Sequence, residues 1–424
     1  VTELPHVVII GGGFGGLDAA RALKDAPVRV TLLDRHNYHL FQPLLYQVAT
    51  ASLSPGDVAS PIRWILRHQP NVTVLLAEAT AIDTAGRRVL LTDTHAGADP
   101  FIAYDYLILA TGATHAYFGH PEWAARAPGL KTLDDALEIR RQVLLAFEAA
   151  ECETEPAARQ RLLTFVIVGG GPTGVELAGA LGEIARQSLR RDFRRIRPES
   201  ARILLLEGGP HVLSTFPDGL REKARRSLTR IGVEVRTNAI VTGVDATGVR
   251  VGEERIAAQT VLWAAGVAAS PLAKSLSVPL DRAGRVLAEP TLAVPGHPQI
   301  FVAGDISSLQ QDGRPLPGVA QVAIQGGAHA AGNVLRAIRG EPLQRFRYKD
   351  YGNMAVIGRA HAVADIGRVK ASGLLAWLMW IFLHIFWLIG FRNRLAVMGE
   401  WAWAYVTLQR RMRLITGERL WPSS

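Results

Sequence analysis

Two stretches of the chain share one arrangement of apolar and polar positions. In the first, the apolar run Val7-Val8-Ile9-Ile10 leads into Gly11-Gly12-Gly13-Phe14-Gly15-Gly16. Residues 17–24 then repeat apolar positions at helical spacing, and 28–33 form a second apolar run ending in Asp34. Short continuous apolar runs read as buried parallel strands and the longer period as a helix, so strand, turn, helix and strand are expected. In the second, Phe165-Val166-Ile167-Val168 precedes Gly169-Gly170-Gly171-Pro172-Thr173-Gly174; residues 175–189 read as a helix, and Arg202–Leu206 as a strand ending in Glu207. Further buried strands are expected over 104–110, 260–263 and 300–303. Val72–Leu76 and Arg88–Thr92 are expected in a small antiparallel layer. Ser60-Pro61 has the form of an N-cap followed by Pro at N1, which predicts a helix through His68. Residues 131–151 read as one long helix with Cys152 just beyond it, Ala320–Ile338 as another, and 346–369 as two or three short strands.

Both turns fit G-x-G-x-x-G, as Gly11, Gly13, Gly16 and as Gly169, Gly171, Gly174. The first glycine permits the tight turn, the second lets backbone approach a pyrophosphate, and the third lets the helix pack on the strand. Phosphates then face the helix N-terminus, and the acid closing the second strand, Asp34 or Glu207, can accept from a ribose hydroxyl. One such hexapeptide is weak evidence; two in their strand–helix–strand context predict two bound dinucleotides, one per domain. The spacing from Gly169 to Glu207 is long, and the excess falls in the basic stretch Arg190-Arg191-Asp192-Phe193-Arg194-Arg195-Ile196-Arg197, read as a solvated helix end and loop. A carboxylate at Glu207 would repel a 2′-phosphate, so NADH is expected there rather than NADPH. Glu176 lies two residues past the second turn, on the first turn of the helix. Small residues follow three strands, at Ala110-Thr111-Gly112, Ala265-Gly266 and Gly304-Asp305, where backbone can lie against a cofactor. Residues 35–50 read as a loop passing into a short helix near the ribose and flavin end of the site. Gln321 and Gln325, four apart, share one helix face.

The tail differs in kind. Leu374 to Ile389 is uninterrupted apolar sequence apart from His384, about 24 Å of helix at ~1.5 Å per residue against the ~30 Å of a bilayer core. Arg368 and Lys370 precede it, and Arg392 and Arg394 follow. On a helical wheel Trp377, Trp380, His384 and Trp387 share one sector, as expected at a membrane–water boundary. A helix lying in the interface rather than crossing it is predicted. Glu400-Trp401-Ala402-Trp403-Ala404-Tyr405 continues into Arg410-Arg411-Met412-Arg413. The whole chain carries +9, and residues 341–424, with twelve Lys/Arg against five Asp/Glu, hold +7 of it. Basic charge beside so much apolar surface points to anionic lipid, not nucleic acid.

At 424 residues two or three domains are expected. The lone cysteine, Cys152, excludes a redox-active cysteine pair, a disulfide framework and a Cys-rich metal site; no metal is expected. The opening residues have no basic region followed by an apolar core, so no signal peptide is expected.

The two fingerprints, the 37–50 segment, Gly304-Asp305, Ala320-Gln321-Val322-Ala323-Ile324-Gln325 and the basic, Trp-rich tail together resemble type II NADH:quinone oxidoreductases. These are single-subunit, non-pumping respiratory flavoproteins. The resemblance implies an α/β fold of two Rossmann-like dinucleotide-binding domains plus a C-terminal membrane-anchoring region with amphipathic helices. It divides the chain into a discontinuous FAD-binding domain (1–116 and 288–340), an NADH-binding domain (117–287) and a membrane-association region (341–424). It implies non-covalent FAD along Gly11, Gly13, Gly16 and Asp34, with Ala110, Thr111, Gly112, Gly304 and Asp305 at its middle. NADH would lie along Gly169, Gly171, Gly174 and Glu207, with Gly266 near the nicotinamide. Glu176 would stand close to nicotinamide and flavin, and Gln321, Gln325 and Lys370 at the head of a membrane quinone, menaquinone or ubiquinone. The implied location is the cytoplasmic face of a bacterial inner membrane, peripheral and monotopic, on an anionic surface, with a homodimer left open. Disulfide reductases and sulfide:quinone oxidoreductases share the two domains but need paired cysteines. Two alternatives remain: an NADH-sensing FAD-binding interaction protein resembling apoptosis-inducing factor, and a soluble NADH-dependent ferredoxin or rubredoxin reductase.

Overall fold

The computed structural model describes residues 3–92, 99–407, 410 and 412–416. Arg411, residues 417–424 and the side chains of Arg392 and Tyr405 lie outside the described residues. The chain forms two compact units.

The first unit comprises Val1–Leu40, Ala59–Thr114 and Val267–Asp350. Its sheet runs in the order Ala293–Val294, His297–Val302, Tyr106–Leu109, His6–Ile10, Arg29–Asp34, Val72–Leu76. All neighbours pair parallel except Ala293–Val294. His6–Ile10, at the centre, is buried along its whole length, as its unbroken apolar run requires. The helix Phe14–Ala22 packs on this sheet and against Ala320–Ile338. The small residues of the second helix serve that contact: a Cβ on Gly327 would lie 1.9 Å from the Gly15 carbonyl oxygen.

Two expectations for this unit need correction. Val72–Leu76 pairs parallel with Arg29–Asp34 at the edge of the main sheet. An edge strand buries only part of its surface, and its alternating V-T-V pattern then imitates an antiparallel layer. That layer exists, but it is Glu78–Asp83, Arg88–Thr92 and Phe101–Ala103. Ser60 and Pro61 do not open a long helix. They pair with His39 and Tyr38 in a two-stranded ribbon, which holds them extended, and the helix that follows is the single turn Ile62–Ile65.

The second unit comprises Phe41–Val58, His115–Gly266 and Tyr351–Ser424. Four parallel strands run in the order Val233–Arg236, Arg202–Leu206, Thr164–Val168, Thr260–Trp263. The helix Leu133–Cys152 is opened by a capping box between Thr132 and Asp135, and Cys152 is its last residue rather than the one beyond. The fingerprint helix is α-helical over Pro172–Glu183 and continues as a π-turn over Ile184–Ser188. Asn353–Gly358, His361–Ile366 and Val369–Gly373 form an antiparallel sheet. Its first strand lies so close on the fingerprint helix that a Cβ on Gly179 would sit 1.7 Å from the Ile357 carbonyl oxygen; only glycine allows this contact.

The tail forms the helices Leu374–Trp387 and Phe391–Thr407. The first is about 21 Å long at ~1.5 Å per residue, and among the described residues no helix is long and apolar enough to cross a membrane. The Trp/His sector is divided: Trp387 is exposed, whereas Trp380 and His384 pack inside the unit. Trp380 is buried, His384 stacks on it at 4.1 Å, and Trp401 lies 5.4 Å away. Their polar atoms find partners inside the unit: His384 Nδ1 bonds the Trp380 carbonyl, and Trp401 Nε1 donates to Gln47 Oε1 at 2.7 Å. The exposed positions are mainly aliphatic and phenyl side chains, with Leu375, Leu378, Phe382 and Phe386 exposed by 62, 50, 74 and 60%, and Trp387 beside them.

Candidate functional site

In the first unit Gly11 adopts φ +104°, and a Cβ on Gly16 would lie 1.7 Å from the Gly11 carbonyl oxygen. The turn can close only with glycine at both places. Gly13 is the N-cap of Phe14–Ala22 and offers no side chain, so the first N–H groups of the helix stay available. A Cβ on Gly13 would meet nothing within 4 Å, leaving space above the turn for a ligand. Asp34 is held in place by backbone: Gly12 N–H donates to Oδ2 at 2.6 Å and His36 N–H to Oδ1 at 2.7 Å. Each oxygen keeps a lone pair for a ribose hydroxyl.

Ala110, Thr111 and Gly112 follow the strand Tyr106–Leu109, and Gly304 and Asp305 follow His297–Val302, its neighbour in the sheet. The Thr111 hydroxyl is buried and has no partner among the described residues; nor does the buried Gln321 Oε1. An open glycine turn, an oriented acid and orphaned polar atoms at the carboxyl ends of parallel strands fit a flavin dinucleotide. On the helix Ala320–Ile338, Gln325 is bonded at both ends of its amide to the Lys349 backbone, at 2.9 and 3.0 Å. The second N–H of Gln325 has no acceptor among the described residues.

The second unit repeats the turn. Gly169 has φ +107°, a Cβ on Gly174 would lie 1.8 Å from the Gly169 oxygen, and Gly171 opens onto free space. Glu207 accepts from Gly170 N–H at 2.6 Å and from Gly209 N–H at 2.7 Å. Despite the longer spacing the turn geometry is the same, because the additional residues lie away from the turn: partly in the longer helix Pro172–Glu183 with its π-turn Ile184–Ser188, and only partly in the segment before Arg202 that includes the basic stretch. Gly266, at φ +72°, lies under the exposed ring of Phe118. Lys370 stands exposed on Val369–Gly373, opposite Asp365.

Glu176 is part-buried on the fingerprint helix. Burial pushes its carboxyl up to about 8, against the pull of the Val356 N–H. It therefore holds its proton at neutral pH and can donate a hydrogen bond. The segment Phe41–Val58 brings residues that sequence patterns did not single out. Tyr46 is buried, and its phenol is pushed far up by burial and by the nearby Glu176 charge. Gln47 links Tyr46 Oη, at 3.0 Å, to Trp401. Arg410 is buried, donating to the Thr50 carbonyl at 2.7 Å and to Glu183 Oε2 at 2.9 Å. Only the aromatic and polar make-up of residues 35–50 hinted at these contacts.

Residues 5–327 match the pyridine nucleotide-disulphide oxidoreductase family, and 351–411 the NDH2 C-terminal domain. The type II NADH:quinone oxidoreductase NdhA of Mycobacterium tuberculosis is 47% identical, over 98% of this chain and 90% of that protein. Ndh of the same organism, also a type II NADH:quinone oxidoreductase, is 44% identical over 98% and 91%. The fold is similar to that of NDH2 from Plasmodium falciparum in complex with NADH, with a TM-score of 0.87, 20% identity, and 98% and 100% of the two chains covered.

Proposed function

The chain belongs to the type II NADH:quinone oxidoreductases, and from that premise we propose how its residues divide the work of oxidising NADH and reducing a membrane quinone without pumping protons. FAD, when bound, supplies the acceptor for the hydride and passes both electrons on. The observation that carries the reading is the pair of fingerprint turns, each closed by a carboxylate on its own backbone.

FAD is held by residues 1–116 with 288–340: Gly11, Gly13, Gly16 and Asp34 take the adenosine and pyrophosphate, and Ala110, Thr111, Gly112, Gly304 and Asp305 the ribityl chain. NADH is held by residues 117–287, with Gly169, Gly171 and Gly174 on its pyrophosphate. Glu207 presents two oxygens to the adenosine ribose and disfavours a 2′-phosphate. Gly266, under the Phe118 ring, lies near the nicotinamide, and Glu176, protonated at pH 7, donates to it. Gln321 and Gln325 donate to the quinone oxygens, with Lys370 as a further basic group. Residues 341–424 seat the protein peripherally on the anionic cytoplasmic face of the membrane: Leu375, Leu378, Phe382 and Phe386 enter the acyl boundary while basic residues meet headgroups. Whether two copies pair there is read by sedimentation of the detergent-solubilised protein.

The test is steady-state turnover of FAD-loaded protein with NADH and with menaquinone or ubiquinone analogues. Rapid quinone reduction, much slower with NADPH, is expected. Flavin bleaching by NADH with negligible quinone reduction would sink the reading in favour of a sensor.

A further inference from the structure

His39 lies in the first unit and is absent from the fingerprint assignment. It occupies the middle of the strand Tyr38–Leu40, paired with Ser60, and is 2% exposed. Its Nδ1 is 3.0 Å from the Gly12 carbonyl oxygen. A carbonyl oxygen only accepts, so Nδ1 carries the proton and Nε2 is left as a bare lone pair. That Nε2 is enclosed and has no partner among the described residues. The Phe14 ring meets the imidazole edge-on at 5.0 Å, fixing its plane. Burial drives the ring to a pKa of about 4, Arg21 pushes the same way, and the Gly12 carbonyl only partly offsets them. The imidazole is therefore neutral at pH 7.

A buried acceptor without a donor is costly and rare, so a group from outside the chain is expected to complete it. The ring is bonded to the carbonyl of Gly12, the residue before Gly13, over which a Cβ would meet nothing within 4 Å. A dinucleotide lying on this turn offers two kinds of group. Its phosphates carry acceptors only and cannot satisfy a lone pair; its sugar and ribityl hydroxyls are donors. We propose that His39 is a cofactor-binding residue of the flavin site, accepting a hydrogen bond at Nε2 from a hydroxyl of the bound dinucleotide while its Nδ1–H holds the Gly12 carbonyl. The contact ties ligand to turn through one rigid ring. At the second turn the Gly170 carbonyl accepts instead from the Leu213 backbone N–H, at 2.8 Å, and not from an imidazole. The contact thus belongs to the flavin turn and not to the NADH turn. This proposal rests on the assignment of FAD to the first unit.

Imidazole nitrogen NMR of the full-length protein, with and without FAD, tests it directly. On loading, His39 is expected to stay neutral with the proton on Nδ1, and its Nε2 signal to move as for an accepted hydrogen bond. A fluorescence titration of apoprotein with FAD supplies the second readout. His39→Phe is expected to weaken FAD about tenfold with NADH affinity unchanged, and to lower apoprotein melting because the Gly12 carbonyl also loses its donor; His39→Gln is expected to recover part of both losses. An imidazolium in the loaded protein would assign the contact to a phosphate and overturn the proposal, as would an unmoved Nε2 signal or an FAD affinity in His39→Phe within twofold of the parent. If His39→Phe does not fold, the parent spectra decide alone. A parent protein that binds no flavin overturns both this proposal and the site assignment beneath it, whereas flavin binding with an unmoved His39 overturns only the proposal.

Discussion

Asp18 and Glu176 occupy the same place in the two copies of the fingerprint, each seven residues past the first glycine of its turn. Their surroundings differ. Asp18 keeps 26% of its side-chain surface in water and faces Arg21 one turn on, at 3.8 Å; burial raises its pKa and Arg21 pulls it back. Glu176 has no cation beside it among the described residues. The strand Asn353–Gly358 lies on its helix and Tyr46 stands near, and its carboxyl is pushed up to about 8. The first helix is instead covered by Ala320–Ile338, whose small residues leave its acid at the rim. The same turn, helix and register thus carry an ordinary acid in one copy and a proton-holding one in the other. The chemistry is set by what the rest of the chain lays over the helix, not by the fingerprint.

If the cover makes the difference, removing it has the largest effect. Arg410 fixes the tail to Glu183, the last α-helical residue of the second fingerprint helix, and no such strap is seen on the first among the described residues. Arg410→Ala leaves the Glu183 carboxylate buried without its cation and is expected to cost about 3–5 kcal/mol in chemical denaturation; Arg410→Met with Glu183→Gln should recover most of it. A loss below about 1 kcal/mol would show that the strap contributes little. Next come the turns, where the copies are predicted to behave alike. Gly16→Ala and Gly174→Ala each drive a Cβ into a backbone oxygen and should cost about 3 kcal/mol. Gly16→Ala is expected to lose FAD during purification, whereas Gly174→Ala keeps FAD and loses NADH binding. Matching losses of both ligands in both variants would break the assignment of one dinucleotide to each turn.

What was legible in the sequence follows the same division. Both turns, both acids and the helices behind them are local, and each was expected from a window of about thirty to forty residues. Val72–Leu76 was misplaced because an edge strand alternates as an antiparallel one does. The wheel shows which residues share a face but not which of them find partners: Trp380 and His384 pack inside the unit while Trp387 and the Leu/Phe positions stay outside. Tyr46 beside Glu176, and Arg410 on Glu183 across 227 residues, leave no local trace. Of the candidate residues, the glycines and their acids could be read from spacing. The proton held on Glu176 could not, because it depends on the packing of a strand that begins at Asn353.

The smallest effect is the most specific to the comparison. A carboxyl whose folded pKa is about 8 and whose ordinary value is 4.5 binds its proton more tightly folded than unfolded. Its contribution to stability is fully present below about 4.5 and is lost as pH rises through 8. Discounted for its partial exposure, the full shift corresponds to roughly 2 kcal/mol. Glu176→Gln keeps the shape and cannot ionise, so the apoprotein variant should match the parent near pH 5 and exceed it by about that amount near pH 8.5, in urea denaturation followed by tryptophan fluorescence. Asp18→Asn, at the equivalent register, should change stability by less than about 0.5 kcal/mol across the same range, since a part-exposed i,i+3 pair contributes little. Equal pH slopes in the two variants would mean that the strand and Tyr46 do not distinguish the two acids. A difference confined to Glu176 would tie its protonation to the cover supplied from Asn353 onward, and would make that cover part of the NADH site.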